Sequence, residues 1–266
     1  HGPIDWRVTL HWDILPLIGW GYFLGVCLYL MPRSVWVRVG FIAAVLLAKL
    51  AILRWIPYPG ETQVVWEQTR SVQSWINGRL GWLGVALTQG LPATACVTLG
   101  SLAGDWLRRT DLPAPRRAAW LAGAGLATYL AALAMHLSGF MPSSKDFFTS
   151  TYVLCTGGAA ALTLAAMYWL VDIRRVTTLW VLRVYGMNAL AAYLGAELIW
   201  KTAMMQWHVE NPASIGGSSV MITAFKAHLQ SLAGKTAGSW LLVAGYIAFY
   251  WTICWLLARR KVFIKV

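Results

Sequence analysis

The sequence predicts an all-α, polytopic transmembrane helical bundle, and three observations carry that prediction. The 266 residues are 58% hydrophobic and only 12% charged, with a mean hydropathy of +0.57. Apolar runs of spanning length recur along the chain, each close to the ~20 residues that cross a hydrocarbon core. Many of the 17 tryptophans fall at the ends of those runs. Trp12, Trp36, Trp55, Trp82, Trp106, Trp120, Trp180, Trp200 and Trp240 are so placed, at the headgroup level that suits a ring with one apolar and one wet side. A soluble domain of this length needs far more polar surface.

About seven spans are expected, near residues 12–31, 35–56, 82–107, 117–138, 147–171, 178–200 and 238–258. Together they make residues 1–266 one transmembrane domain. Loop charges orient them. Arg33 and Arg38, Arg108 and Arg109, Arg116 and Arg117, Arg174 and Arg175, Arg183, and the tail Arg259, Arg260, Lys261 and Lys265 fall on alternate connections. The positive-inside rule puts that side in the cytoplasm, with the C-terminus there and residue 1 outside. Two outside loops are long. Residues 57–81 hold a Trp66-to-Ile76 stretch suited to an interfacial helix. Residues 201–237 hold Asn211-Pro212, Gly216-Gly217 and a short helical stretch from Val220 to Leu232.

The net charge of +12 does not point to nucleic acid, because the bases lie in small loop clusters between apolar runs. Cys27, Cys96, Cys155 and Cys254 all sit inside apolar runs, far apart and without zinc-type spacing, so no metal is expected. The chain opens on His1, and Asp5, Arg7 and Asp13 interrupt the first residues. No signal peptide is legible there, and the sequence reads as a piece of a longer or processed protein.

Polar groups inside spans mark a protein interior or an aqueous cavity. Lys49 lies well inside the second span. Arg54, Asp13, His136 and Glu197 lie toward outer ends. Singly, each fits a structural role, such as an Asp13 pair with Lys49 or Arg54, or a snorkelling Arg54. Together they suggest an outer polar cavity. On the inner side Asp105 precedes Arg108 and Arg109, and Asp172 precedes Arg174 and Arg175. These fit either helix-end topology charges or a mouth for a polyanion, since arginine forks match phosphate. Asn188 follows Gly186 in the sixth span and must find a partner helix, a loosened backbone or a ligand. Pro92 is expected to bend the third span and free a carbonyl. Gly157-Gly158 reads as close helix packing. His136, His208 and His228 are outer-side and lack metal-ligand spacing, and no catalytic triad is legible.

Several segments resemble the heparan-α-glucosaminide N-acetyltransferase family. Pro142-x-x-Lys145-x-x-Phe148-Thr149-Ser150-x-Tyr152-Val153-Leu154 is similar to that family's P-x-N-K-x-L-W-T-S-S-Y-V signature. It is followed by Tyr168-x-x-Val171-Asp172 and by Gly186-Met187-Asn188-Ala189-Leu190-x-x-Tyr193. Leu99-Gly100-x-x-Ala103-Gly104, His11-Trp12-Asp13-Ile14-Leu15 with Ile18-Gly19, and the basic-aromatic ending from Trp255 through Arg259 to Val266 extend the likeness over nearly the whole chain. Ser144 stands where the family has Asn, Phe148 where it has Trp, and Gln89 where it tends to have Glu.

The resemblance implies transfer of acetyl from cytoplasmic acetyl-CoA to an amino sugar or glycan on the outer face of a bacterial inner membrane. It implies about three further spanning helices before this chain. The family's catalytic His belongs to that region, which nothing here matches, so the catalytic residue is unknown. Lys145 and Asn188 are the candidate supporting groups for the oxyanion. Ser150, Tyr152, Lys49, Glu197 and His228 are candidate substrate contacts, and Arg108, Arg109, Arg174 and Arg175 candidate coenzyme contacts. Membrane lipid and a second copy of the chain are the other expected partners. The alternatives are a sugar or lipid-linked-sugar transporter or flippase, which an inverted repeat would favour, and an inactive membrane scaffold.

Overall fold

The computed structural model describes residues 14–31, 35–199, 207–210 and 218–264. By contacts the chain divides into two units, His1–Arg175 and Val176–Val266.

The first unit holds α1 (Ile14–Leu30), α2 (Val35–Trp55), the short α3 (Val72–Leu80), α4 (Trp82–Leu107), α5 (Ala114–Leu137) and α6 (Ser150–Ile173). Local chemistry sets their ends. Ser71 caps α3 in a reciprocal box with Ser74, each side-chain oxygen 3.1 Å from the other residue's backbone nitrogen, which satisfies two otherwise orphaned donors. Pro113 precedes α5 and Pro115 occupies its first turn, where a missing N–H does no harm. Thr149 caps α6, its Oγ1 accepting from Tyr152 N at 3.2 Å.

Two π-helical turns interrupt the long helices, at Ala86–Gly90 in α4 and Tyr168–Ile173 at the end of α6. The first runs into Pro92, the residue expected to disturb this span. Pro92 has no N–H to give to Thr88 O, four residues back.

Packing is closest between α5 and α6. A Cβ on Gly158 would lie 2.7 Å from Tyr129 N and 2.8 Å from Gly125 O, so Gly158 lets the two backbones touch. Ile42, Leu46, Ala95 and Val153 join α2, α4 and α6 in one apolar cluster. Leu53, Val72, Met141 and Phe147 form a second at the end where α3 lies. The outward faces stay apolar, with Trp36 79% and Leu47 65% exposed, as a lipid-facing surface requires.

The second unit holds α7 (Trp180–Met187), α8 (Ala189–Ile199), a two-stranded antiparallel ribbon of β1 (His208–Glu210) and β2 (Ser218–Val220), α9 (Met221–Ala233) and α10 (Lys235–Arg259). Aromatic side chains stitch α10 to the broken pair α7–α8. Tyr250 OH donates to Gly195 O at 3.1 Å, Trp251 Nε1 to Val181 O at 3.1 Å, and Tyr185 OH to Ile247 O.

Among the described residues, five helices are long and apolar enough to cross a membrane: α2, α4, α5, α6 and α10. The protein is therefore a multi-pass helical membrane protein. The two further expected spans are shorter. α1 has 17 residues, and the stretch near 178–200 is split by Asn188 into helices of 8 and 11 residues. The interfacial helix expected from Trp66 starts at Val72, because Ser71 supplies the cap. The short helix expected from Val220 is α9, but the ribbon before it was not legible.

Candidate functional site

The connection from α5 to α6 folds back on itself through three hydrogen bonds. Phe148 N donates to Lys145 O at 3.1 Å, Thr149 N to Ser144 O at 3.2 Å, and Ser144 N to Thr149 Oγ1 at 3.1 Å. Phe148 takes φ 47° to close the turn, a conformation that bulky side chains rarely adopt. Phe147 is buried beside Leu53 and Val72 and meets Trp66 edge-on, with ring centroids 5.7 Å apart. Anchored this way, the turn leaves Lys145 and Asp146 exposed.

Opposite them stand α3 and the π-turn of α4. Gln73 Nε2 donates to Asp146 O at 3.3 Å, with Gln89 Nε2 at 3.5 Å from the same oxygen. Behind Gln73, the Lys49 ammonium donates to Gln73 Oε1 and to Thr88 O, both at 2.6 Å. The Thr88 carbonyl is the one that Pro92 leaves without its helical donor. The Asn77 amide, with nitrogen facing them, donates to Thr88 Oγ1 at 2.9 Å and Gly84 O at 3.2 Å. Lys49, Gln73 and Thr88 are all buried, so each is satisfied by the others, as buried polar groups must be.

Together these elements enclose a cavity of about 470 Å³. Its walls are Gln68, Ser71, Gln73, Ser74, Asn77 and Gln89 on one side, with Lys145, Asp146, Phe147, Phe148 and Leu17. Amides and hydroxyls both donate and accept. Asp146 adds an acceptor-only carboxylate, Lys145 a cation, and the phenylalanines an apolar floor. Such a lining matches a small polar ligand bearing several hydroxyls and an amine.

The sequence-derived candidates separate. Lys145 lines this cavity, and Lys49 supports it from behind. Ser150 lies away from it, buried, its hydroxyl donating to Leu46 O at 2.6 Å. That bond makes Ser150 a tie between α6 and α2. Tyr152 packs edge-on against Phe148, ring centroids 5.5 Å apart. Arg54 stacks over Phe140 at 5.7 Å, and His136 Nδ1 accepts from Ser143 N at 3.2 Å, so neither lines the cavity. Asp13 lies outside the described residues.

Asn188, Glu197 and His228 belong to the second unit. Asn188 is fully buried at the α7–α8 break. Its Oδ1 accepts from Ile264 N at 3.0 Å and its backbone oxygen from Ala192 N at 3.0 Å. It ties the tail after α10 to the helix break. His228 is exposed on α9, and Glu197 is half-buried on α8. Among the described residues, no three His, Cys, Asp or Glu side chains converge as a metal site.

The opposite end of the first unit is basic. Asp105 pairs with buried Arg38 at 2.6 Å rather than with the arginines beside it in sequence, and Tyr29 OH donates to the same carboxylate at 3.3 Å. Trp106 Nε1 donates to Arg117 O at 3.0 Å, and the Arg117 guanidinium lies 5.7 Å over the Tyr168 ring. These contacts bring the ends of α4, α5 and α6 together. Arg108, Arg109, Arg174 and Arg175 are exposed there. Arg109 is occupied by Asp111, whose carboxyl it holds below the usual carboxylate range through a hydrogen bond. From Gln89 to Arg108, α4 covers roughly 28 Å at about 1.5 Å per residue, close to the ~30 Å hydrocarbon thickness.

No protein-family profile matches the chain, and no curated protein sequence matches it significantly.

Sequence reasoning missed most of the cavity wall. Gln68, Ser71, Gln73 and Ser74 lie in the stretch read only as an interfacial helix, and Asn77 just beyond it. The available signal was the i, i+4 spacing of Gln73 and Asn77, one polar stripe of a short helix whose other face holds Trp75 and Arg79.

Proposed function

We propose that this chain is part of a membrane-embedded acyltransferase that moves an acetyl group from acetyl-CoA on the arginine-bearing side to an amino sugar on the other. The observation that carries this reading is the amide- and hydroxyl-lined cavity with Lys145 and Asp146 at its rim. It lies at the other end of α4 from Arg108 and Arg109. The loop arginines favour a cytoplasmic location for their end. This fits a bacterial inner-membrane protein with a cytoplasmic C-terminus and an outward-opening cavity.

In this reading the amides and hydroxyls hold the sugar hydroxyls. Asp146 is the cavity group suited to take a proton from the acceptor ammonium. Lys145 is the cation suited to the oxyanion that forms when the amine adds to the thioester carbonyl. Collapse of that oxyanion breaks the C–S bond and releases the coenzyme thiol, which takes up the proton removed from the amine. Arg108 and Arg174, exposed at the other end, suit the phosphates of the coenzyme. The resemblance to the heparan-α-glucosaminide N-acetyltransferase family supports the assignment through Lys145, Thr149, Ser150 and Tyr152.

The break at Asn188 favours a second reading, a sugar transporter, because discontinuous helices often line transport sites. One assay separates the two. The protein in its native membrane is given radiolabelled acetyl-CoA and glucosamine outside the vesicle. Acetylated sugar, lost in Lys145→Ala, supports the transferase. Uptake of unmodified glucosamine supports the transporter. Failure of glucosamine to bind at all would sink both.

A further inference from the structure

Helices α4, α5 and α6 leave an apolar groove of about 390 Å³ that the polar cavity does not use. Leu99, Ala103, Trp106, Leu121, Ala124 and Leu164 give it its character. At Gly100, on its wall, an added Cβ would meet no atom within 4 Å, so the space there is open. Trp120, at its edge, is 66% exposed on the lipid-facing surface. The groove thus opens along spanning helices, where lipid is the surrounding solvent.

One end of the groove is cationic. Trp106 closes it by donating to Arg117 O, with the Arg109 guanidinium 5.0 Å from its ring centroid. Arg117 precedes Leu121 by one turn, so it continues the α5 stripe that walls the groove. Its guanidinium lies over Tyr168, one turn beyond Leu164 on α6. Arg117 Nε is buried and has no hydrogen-bond partner among the described residues. Arg108 and Arg116 stand beside it, exposed and in no ion pair among the described residues. The carboxylate in the adjoining loop, Asp111, is taken by Arg109.

We propose that this groove holds one acyl chain of an anionic phospholipid, with the lipid phosphate bound by Arg117, Arg108 and Arg116. An acyl chain matches the apolar walls. The Arg117 guanidinium gives one N–H to Leu107 O, and a phosphate supplies an acceptor for its remaining donors and the charge that complements the arginines. The assignment stands whether or not the polar cavity binds an amino sugar.

Native mass spectrometry of the purified protein, exchanged into equal amounts of phosphatidylglycerol and phosphatidylcholine, tests it. The expected result is retention of one phosphatidylglycerol in roughly tenfold preference, the effect of one strong charge-assisted contact. Arg117→Gln should remove the preference while a lipid is still retained. Gly100→Leu, which fills the open space, should remove the retained lipid of either kind. Should Gly100→Leu not fold, Ala103→Leu fills the same groove and gives the same reading. Inorganic phosphate in excess should not displace the lipid. Equal retention of the two lipids by the unaltered protein, retention unchanged in the groove-filling variant, or displacement by phosphate alone each overturns the proposal.

Discussion

The Lys49 ammonium and the Thr88 carbonyl are 2.6 Å apart, and Pro92 is the reason that carbonyl is open. In an uninterrupted helix the N–H of residue 92 would occupy Thr88 O, and proline has none. Lys49 therefore does two things at once. It completes the hydrogen bonding of α4 at its π-turn, and it holds Gln73 in place to meet Asp146 O. Lys49→Met should destabilise the protein by about 1–3 kcal/mol for each acceptor left unpaired, Thr88 O and Gln73 Oε1. Pro92→Ala restores a backbone donor to Thr88 O. In the Lys49→Met background it should recover about 0.5–1.5 kcal/mol relative to additivity. Thermal unfolding of the two single variants and the double variant in one detergent measures the coupling, and strict additivity would contradict it.

Three glycines of the first unit should respond to alanine in a fixed order. Gly158→Ala puts a methyl against the backbone of Tyr129 and Gly125, so α5 and α6 must separate, at about 1–3 kcal/mol. Gly157→Ala meets only Leu99 Cδ1 at 3.0 Å, which a side-chain rotation relieves, and should cost less. Gly100→Ala meets nothing and should stabilise α4 by up to about 1 kcal/mol, because glycine is the poorer helix former. Melting temperatures ranked in any other order would show that the α5–α6 contact is not the tightest constraint.

Much of this fold was legible because long apolar runs and tryptophan-marked ends report on lipid, the solvent they face. α2, α4, α5, α6 and α10 begin and end close to the expected limits for that reason. The break inside the stretch near 178–200 was not legible as a break. Asn188 signals only a need for a partner, and that partner, Ile264 N, comes from a distant turn in the tail. Lys145 could be singled out because it stands in a motif, and Lys49 because it is an isolated charge in an apolar run. The bond of the Ser150 hydroxyl to a carbonyl of α2 could not be foreseen, since no pattern in one segment tells which neighbour it faces. The amide wall on α3 was missed because glutamine and asparagine in a loop-length stretch look like ordinary solvated surface.

Asn188→Ala should loosen the tail. The Asn188 amide accepts from Ile264 N, and Lys261 at φ 57° turns the chain after α10 to reach it. Losing one net hydrogen bond of about 1.4 kcal/mol raises local opening about tenfold. Hydrogen exchange should therefore quicken at Ile264 and through the last turn of α10. Unchanged protection there would mean that other contacts hold the tail.

The final prediction separates ligand contacts from structural polar groups among residues that look alike in sequence. Lys145 and Asp146 line the cavity but bind nothing buried through their charged ends, so Lys145→Ala and Asp146→Asn should leave the melting temperature nearly unchanged. Each should weaken glucosamine binding by roughly tenfold, the value of one charge-assisted hydrogen bond. Ser150→Ala reverses the pattern. It removes the bond to Leu46 O and should cost about 0.5–1.5 kcal/mol of stability with affinity unchanged. Lys49→Met should do both, because Gln73 loses its support and the cavity wall shifts with it. Calorimetric titration of glucosamine, paired with melting curves on the same four preparations, gives a two-by-two outcome. Affinity loss in Ser150→Ala at unchanged stability would move the acceptor site from the α3 wall to the first turn of α6.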